Sequence, residues 1–142
     1  MSEDIRQMKS LALAYMGDAV YEVFVREHVL HSGQVKPNQL HRKTVTFVSA
    51  NAQAKIIKAW LQNGKLSDEE TQIVQRGRNA KSGSIPKNAS VQAYRYSTAF
   101  ETLIGYLFLA KEEERLSELL TEAVAFIERE NDNEGRRSSN NE

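Results

Sequence analysis

Two acidic residues lie in segments that otherwise predict apolar helices, and the first of them is Asp18. It stands between Gly17 and Ala19 in the most apolar predicted helix, where a carboxylate is costly to bury. No lysine or arginine lies one turn away to neutralise it, and the residue one turn later is Glu22, a second carboxylate. Two carboxylates on one partly buried face suggest a hard cation such as Mg²⁺. The alternative is that the Asp18 carboxylate accepts a hydrogen bond from a neighbouring helix end or from a distant arginine.

The second acid is Glu101, in an apolar segment that also contains Gly105 one turn later. A glycine lets its helix pack closely on another. The first and fifth predicted helices are the most hydrophobic, so we expect them to pack together and to bring Asp18 close to Glu101. Taken singly, Glu101 is an ordinary, partly exposed glutamate. Taken together, the two acids predict a shared metal site.

The elements that position these acids are all predicted to be helices. Pro37 suits a first helical turn, Ser49 can cap a helix, and Ser67 followed by Glu70 forms a capping box. Apolar residues recur at helical spacing between these signals. The predicted helices span residues 11–31, 37–47, 49–61, 67–77, 91–110 and 112–130. The sequence therefore predicts an all-α fold.

Length and composition limit the remaining possibilities. The 142 residues predict one domain, over residues 1–130, followed by a disordered polar tail over residues 131–142. The absence of cysteine excludes disulfides and thiolate metal sites, and it fits a reducing compartment. No apolar stretch approaches the roughly 18 residues of a membrane span, and the N-terminus is not a secretory signal. We therefore expect a cytoplasmic protein with no membrane partner.

The formal net charge of zero conceals a segregation of charge along the chain. Residues 1–27 carry a net charge of −2, residues 28–100 carry +8, and residues 101–142 carry −6. The middle block includes a long connection, residues 75–91, that is rich in Gly, Ser, Asn and basic residues and has no acid. Such a block suits phosphate oxygens. A solvated basic surface is the alternative, and the absence of a Walker pattern excludes nucleoside triphosphate binding.

Several segments resemble the ribonuclease III family. Leu13–Glu22 reads Leu-Ala-Tyr-Met-Gly-Asp-Ala-Val-Tyr-Glu and resembles the family's signature helix, and Ala99–Leu109 resembles its second acidic motif. The segment that begins Thr46-Phe-Val-Ser resembles a third motif. The basic run Arg76–Gly83 fits the short branch of the family, Mini-ribonuclease III, which lacks the double-stranded-RNA-binding domain.

This resemblance implies a helical, homodimeric ribonuclease III-like endonuclease domain. It implies Mg²⁺-dependent hydrolysis of double-stranded RNA to 5′-phosphate products and maturation of the large-subunit (23S) ribosomal RNA precursor. Asp18 and Glu101 take the catalytic, metal-liganding positions, and Glu22 and Thr98 are possible supports. The full-length family has further acids where this chain has Ala14 and Thr98. The resemblance therefore predicts a metal that keeps more water ligands.

Without a second binding domain, the basic block must hold the RNA, and binding should be weak and salt-dependent. The residues predicted to contact RNA are Arg76, Arg78, Lys81, Ser82, Lys87 and Arg95. A non-catalytic RNA-binding or ribosome-assembly module with the same fold is the alternative function, and a helical interaction protein without an RNA role is a third. The sequence leaves open whether a ribosomal protein presents the substrate.

Overall fold

The computed structural model describes residues 2–33, 36–81 and 90–140, and these residues form helices and no strand. This confirms the all-α fold. In chain order the helices of the described ranges are α1 (Ser2–Gln7), α2 (Ser10–His31), α3 (Pro37–Val48), α4 (Ala50–Gln62), α5 (Asp68–Asn79), α6 (Val91–Leu109) and α7 (Glu113–Asn140). None of the described helices is long and apolar enough to cross a membrane.

Serine caps begin three of the helices. The Ser49 hydroxyl accepts a hydrogen bond from the backbone N–H of Ala52 at 3.2 Å and so begins α4. Ser67 and Glu70 form the predicted capping box at the start of α5, with bonds of 3.1 and 2.9 Å. Ser90 caps α6 in the same way. These bonds satisfy backbone donors that have no partner within the helix.

Helix α6 is the centre of the molecule and packs against α2, α4 and α5. It is buried on several faces, as a helix that is apolar nearly all round must be. The Phe100 ring meets Tyr21 of α2 edge-on, with ring centroids 4.8 Å apart, and Trp60 of α4 at 5.8 Å. The predicted packing of the first long helix against the Glu101 helix is therefore confirmed.

Helices α2 and α6 cross at two glycines, Gly17 and Gly105. A Cβ atom at Gly17 would collide with the carbonyl oxygen of Glu101, and one at Gly105 would collide with the carbonyl oxygen of Leu13. The two backbones are thus in direct contact, which only glycine permits. This crossing fixes the axial position of α2 relative to α6.

The first helix, α1, is not predicted by hydrophobic periodicity. At six residues it is too short to be stable alone, so tertiary contacts must hold it. Ile5 is buried in the core. The Arg76 guanidinium of α5 donates hydrogen bonds to the carbonyl oxygens of Arg6 at 2.8 Å and Met8 at 3.0 Å.

Two predicted boundaries are wrong. Helix α5 continues past Gly77 to Asn79, so Arg76 and Arg78 lie on a helix and not in a long loop. Helix α7 continues past Glu130 to Asn140, where the polar composition had predicted a disordered tail. Composition is a weak guide here because each residue added to an existing helix gains a backbone hydrogen bond without a new nucleation step. Residues 141–142 lie outside the described ranges.

Candidate active site

The glycine crossing brings Asp18 of α2 and Glu101 of α6 together. Asp18 follows Gly17, whose Cα faces the carbonyl group of Glu101. The two side-chain carboxyl groups lie within hydrogen-bonding reach of each other. Two acids that are 83 positions apart in the sequence thus lie beside each other, as the expected packing of their helices implies.

The two carboxyl groups have different environments. Asp18 is exposed, which corrects the expectation that it lies on a partly buried face, because only its neighbour Gly17 enters the helix contact. Glu101 is mostly enclosed. Burial, and then the negative charge of Asp18, raise the pKa of Glu101 to about 8. Two carboxylates this close repel each other, so the pair favours either a shared proton or a cation between them.

Gln53 is the residue at this site that the sequence analysis missed. Its side chain is only 2% exposed, and it lowers the pKa of Glu101 against the larger effects of burial and Asp18. A signal was present in the sequence, because Gln53 shares the helical spacing of Ile56, Ile57 and Trp60. It is the polar member of an otherwise apolar, buried face.

The predicted supports, Glu22 and Thr98, have different surroundings. Glu22 is half-buried, and its Oε1 lies 3.6 Å from Arg26 Nη2, whereas its Oε2 is buried without a hydrogen-bond partner. Thr98 is buried, and its hydroxyl donates to the carbonyl oxygen of Tyr94 in the preceding turn at 3.0 Å. The hydroxyl proton of Thr98 is therefore used within its own helix. Ala14, on the other side of the pair, offers no ligand.

The residues present fit a hard divalent cation. The side chains around the pair offer oxygen ligands, which Mg²⁺ prefers. Within residues 2–33, 36–81 and 90–140, no third histidine, cysteine or acid joins Asp18 and Glu101 as a ligand cluster. Oε1 of Gln53 and Oε2 of Glu22 are buried without hydrogen-bond partners. A cation held by two carboxylates and several waters matches what Mg²⁺ accepts in proteins.

The predicted RNA contacts that the structure describes lie on α5, just beyond it and on α6. Lys81 is exposed and borders a surface groove of about 770 Å³ with Lys9 and Asn79. Arg95 is exposed on α6. Ser82 and Lys87 lie outside the described residues. Arg76 also borders this groove, although its guanidinium is bound to the backbone of the α1 segment.

Arg78 belongs to a cluster of three residues from three helices. Its Cζ lies 5.9 Å from the ring centroid of Tyr96 on α6, and Nζ of Lys58 on α4 lies 4.8 Å from the same centroid. Two cations on one aromatic ring gain from the ring quadrupole but repel each other. An anion beside them would relieve that repulsion. The sequence analysis missed Lys58 because it lies outside the basic connection.

One face of α2 is apolar and exposed. Tyr15 is 82% exposed, Val23 66% and Leu30 54%, at spacings that place them along one side of the helix. A row of exposed apolar side chains on a central helix is typical of a protein contact surface.

Comparisons with known proteins show the family and the fold of this chain. Residues 11–112 match the Ribonuclease III domain family. The Mini-ribonuclease 3 of Enterococcus faecalis is 50% identical over 117 residues, which cover 82% of this chain and 89% of that protein. That of Clostridium tetani is 45% identical over 134 residues, covering 94% and 87%. An X-ray crystal structure of a Fusobacterium nucleatum protein is similar with a TM-score of 0.76 and 30% identity, covering 86% of this chain and 96% of that one.

Proposed function

Since the chain belongs to the ribonuclease III family and is an endoribonuclease of the Mini-ribonuclease 3 branch, we propose that it cleaves double-stranded RNA with Mg²⁺ as cofactor. The observation that carries the proposal is the convergence of Asp18 and Glu101 at the glycine crossing. The basic residues Lys58 of α4 and Arg78 of α5, and Lys81 beside the surface groove, support an anionic substrate.

In this proposal Asp18 and Glu101 hold the metal and orient the scissile phosphate. When bound, Mg²⁺ supplies charge stabilisation for an in-line displacement and lowers the pKa of a water molecule. Glu101 must give up its proton to act as a ligand, because burial and Asp18 keep it protonated up to a pH of about 8 without metal. Exposed Asp18 faces the solvent side, from which a duplex can approach. The proposed products carry 5′-phosphate and 3′-hydroxyl ends.

The basic residues supply the affinity for RNA. Proteins recognise duplex RNA chiefly through its phosphates, its 2′-hydroxyls and its shape. The RNA-binding residues are proposals. Arg78 and Lys81 have the most structural support, and Arg95 is exposed. Ser82 and Lys87 lie outside the described residues. Arg76 takes part through its net charge, since its N–H groups bind the chain's own backbone.

We further propose that the protein acts as a homodimer. The exposed side chains of Tyr15, Val23 and Leu30 on α2 supply an apolar surface for a second copy. A symmetric dimer offers two sites, one for each strand of a duplex. Asp18 lies on the same helix as this surface, so dimerisation would fix the two sites relative to each other.

The proposed substrate is the 23S ribosomal RNA precursor, which places the protein in the cytoplasm. The support is the similarity to proteins named Mini-ribonuclease 3, together with the basic surface. A ribosomal protein that presents the substrate is not part of the proposal.

A cleavage assay on a long RNA duplex, with Mg²⁺ and then with EDTA, tests the proposal. We expect cleavage only with metal, and we expect Asp18→Asn to lower the rate by at least about 100-fold, since metal charge stabilisation is worth several kcal/mol. Asp132→Asn, at an exposed position of α7, is the matched control and should keep full activity. RNA binding in EDTA, measured by gel shift, should not change in either variant. An active Asp18→Asn protein would refute the assignment.

A further inference from the structure

Two basic side chains from different helices meet over one tyrosine ring. Nζ of Lys58, on α4, lies 4.8 Å from the centroid of the Tyr96 ring, and Cζ of Arg78, on α5, lies 5.9 Å from the same point. Tyr96 is on α6 and packs, partly buried, against the hydrophobic core. Three separate helices are therefore needed to place the two charges, so the tertiary fold creates the cluster.

Neither cation of this cluster has an acidic partner in the described part of the chain. The ion pairs formed there join other residues, and none includes Lys58 or Arg78. The connection between α5 and α6, residues 80–90, contains no acid in its sequence. The Tyr96 ring thus holds two positive charges whose mutual repulsion is not offset by a described carboxylate.

A cation held by an aromatic ring is well prepared to bind an anion. The ring attracts the charge through its quadrupole, whereas a carboxylate would also take up the N–H donors. Lys58 is exposed and Arg78 is partly exposed, so an anion can reach both from solvent. Phosphate oxygens accept charge-assisted hydrogen bonds from lysine and arginine alike. The cluster therefore has the chemistry of a phosphate-binding site.

The cluster is separate from the acidic pair. On α6, Tyr96 precedes Glu101 by five residues. In an α-helix this spacing corresponds to about 7.5 Å along the axis and about 140° around it. The two side chains leave α6 in different directions, so a phosphate held by the cluster is not the phosphate that a metal on Glu101 would contact.

We propose that Lys58 and Arg78, positioned by the Tyr96 ring, bind a backbone phosphate of duplex RNA away from the scissile bond. This inference rests on the proposed function, which supplies a substrate with a phosphate at every nucleotide. Contacts to backbone phosphates fix the register and orientation of a duplex on a protein. The duplex is then held at two points, this cluster and the acidic pair with its metal. Two points of attachment define its orientation better than one.

The test compares two exposed lysines of α4. Lys58→Ala removes one cation of the cluster. We expect it to weaken the binding of a long RNA duplex in EDTA about 10-fold in gel shifts, which is the effect of losing one charge-assisted hydrogen bond. The slope of the logarithm of the binding constant against the logarithm of salt concentration should fall in magnitude by about 1.

Lys55→Ala is the matched control. It removes the same charge from the same helix, but Nζ of Lys55 lies 3.8 Å from Oε1 of Glu134 and away from the ring. We expect its RNA affinity to fall at most about 2-fold, because solvent and salt screen its charge. If Lys58→Ala and Lys55→Ala bind RNA equally well, the lysines act only through net charge and the inference is refuted.

Two substitutions test the role of the ring. Tyr96→Phe keeps an aromatic ring and should bind RNA as the native protein does. Tyr96→Leu keeps both cations without the ring and should bind about 3-fold more weakly, the value of a cation–π interaction at an exposed site. Equal RNA affinity of these two proteins would overturn the positioning role of Tyr96.

Metal binding separates this inference from the proposed function. Mn²⁺ alone, titrated into RNA-free protein and followed by the electron paramagnetic resonance of the free ion, should bind Lys58→Ala as tightly as the native protein. Weaker Mn²⁺ binding would contradict a phosphate site apart from the acidic pair. If the native protein neither binds nor cleaves duplex RNA, the proposed function is wrong and the inference falls with it. If it does both, the comparison of the lysine variants decides the inference alone.

Discussion

Replacing Gly105 with alanine should both destabilise the fold and disable the site. A Cβ atom there would lie 2.9 Å from the backbone nitrogen of Gly17 and would collide with the carbonyl oxygen of Leu13. Both neighbours are backbone atoms, so no side chain can move aside. Restoring ordinary contact distances requires α2 and α6 to separate by roughly 1.5 Å or more.

The expected loss of stability follows from two opposing terms. Overpacking costs about 1–3 kcal/mol and occasionally more, and rigid backbone neighbours place this site at the upper end. Alanine regains about 1 kcal/mol of helix propensity relative to glycine. We expect a net loss of at least about 2 kcal/mol, or roughly 7 °C in melting temperature for a chain of this length. The same separation shifts Asp18 relative to Glu101, and a displacement of about 1 Å at an active site can cost 100-fold in rate.

Urea denaturation and the RNA cleavage assay measure the two effects. Gly135→Ala is the matched control, because Gly135 lies within α7 and a Cβ there would meet nothing within 4 Å. That variant should be as stable as the native protein or slightly more so, and fully active. A Gly105→Ala protein whose free energy of unfolding is within about 1 kcal/mol of that of Gly135→Ala, and which cleaves RNA at the native rate, would contradict this prediction.

The remaining predictions concern pH, an ion pair and RNA binding. In EDTA, the free energy of unfolding of the native protein should fall as pH rises from 4.5 to about 8, because over this range the unfolded chain has released the Glu101 proton and the folded chain still holds it. Glu101→Gln should remove this pH dependence and should be more stable than the native protein at pH 8. Arg115→Leu should lower the free energy of unfolding by about 3 kcal/mol at neutral pH, because buried Glu70 loses the guanidinium that now lies 2.8 Å away. Burial favours the neutral form of Glu70, but the hydrogen bonds from Arg115 and Ser67 outweigh burial and hold the pKa of Glu70 below 4.5. Acid protonates Glu70 and removes the stabilisation that Arg115 gives it, so the loss caused by Arg115→Leu should shrink below pH 4.5 in urea denaturation. Arg78→Ala combined with Lys81→Ala should weaken RNA binding and reduce its salt dependence in gel shifts while Mn²⁺ affinity stays constant; a parallel loss of Mn²⁺ affinity would contradict the separation of the two surfaces.

The helices and the contact between α2 and α6 were predictable because they depend on features that are local in the sequence. Ser49 and the Ser67–Glu70 pair mark helix starts through bonds that are local in sequence, and the apolar periodicity around Asp18 and Glu101 predicted which two helices meet. Two glycines on those helices indicated a close approach. The meeting of the two acids followed from these features.

What the sequence did not predict depends on contacts between distant segments. Helix α1 has no periodicity of its own and is held by Arg76, about 70 residues away. The exposure of Asp18 depends on which face of α2 packs against α6, and this contact joins segments that are far apart in the sequence. The proximity of Gln53 to Glu101 joins residues 48 positions apart in the chain, although the place of Gln53 on an apolar helix face was visible in the sequence.

The two bonds from Arg76 to the backbone of the α1 segment affect how mutational scans of this protein should be interpreted. Removing the Arg76 side chain would free the carbonyl groups of Arg6 and Met8 and loosen the N-terminal segment, as well as removing a positive charge. A weaker RNA complex in that variant would therefore mix two causes. Arg76→Lys separates them, because it preserves the charge but cannot donate to both carbonyl groups in the same geometry. Lys81, which is exposed, reports electrostatic attraction alone.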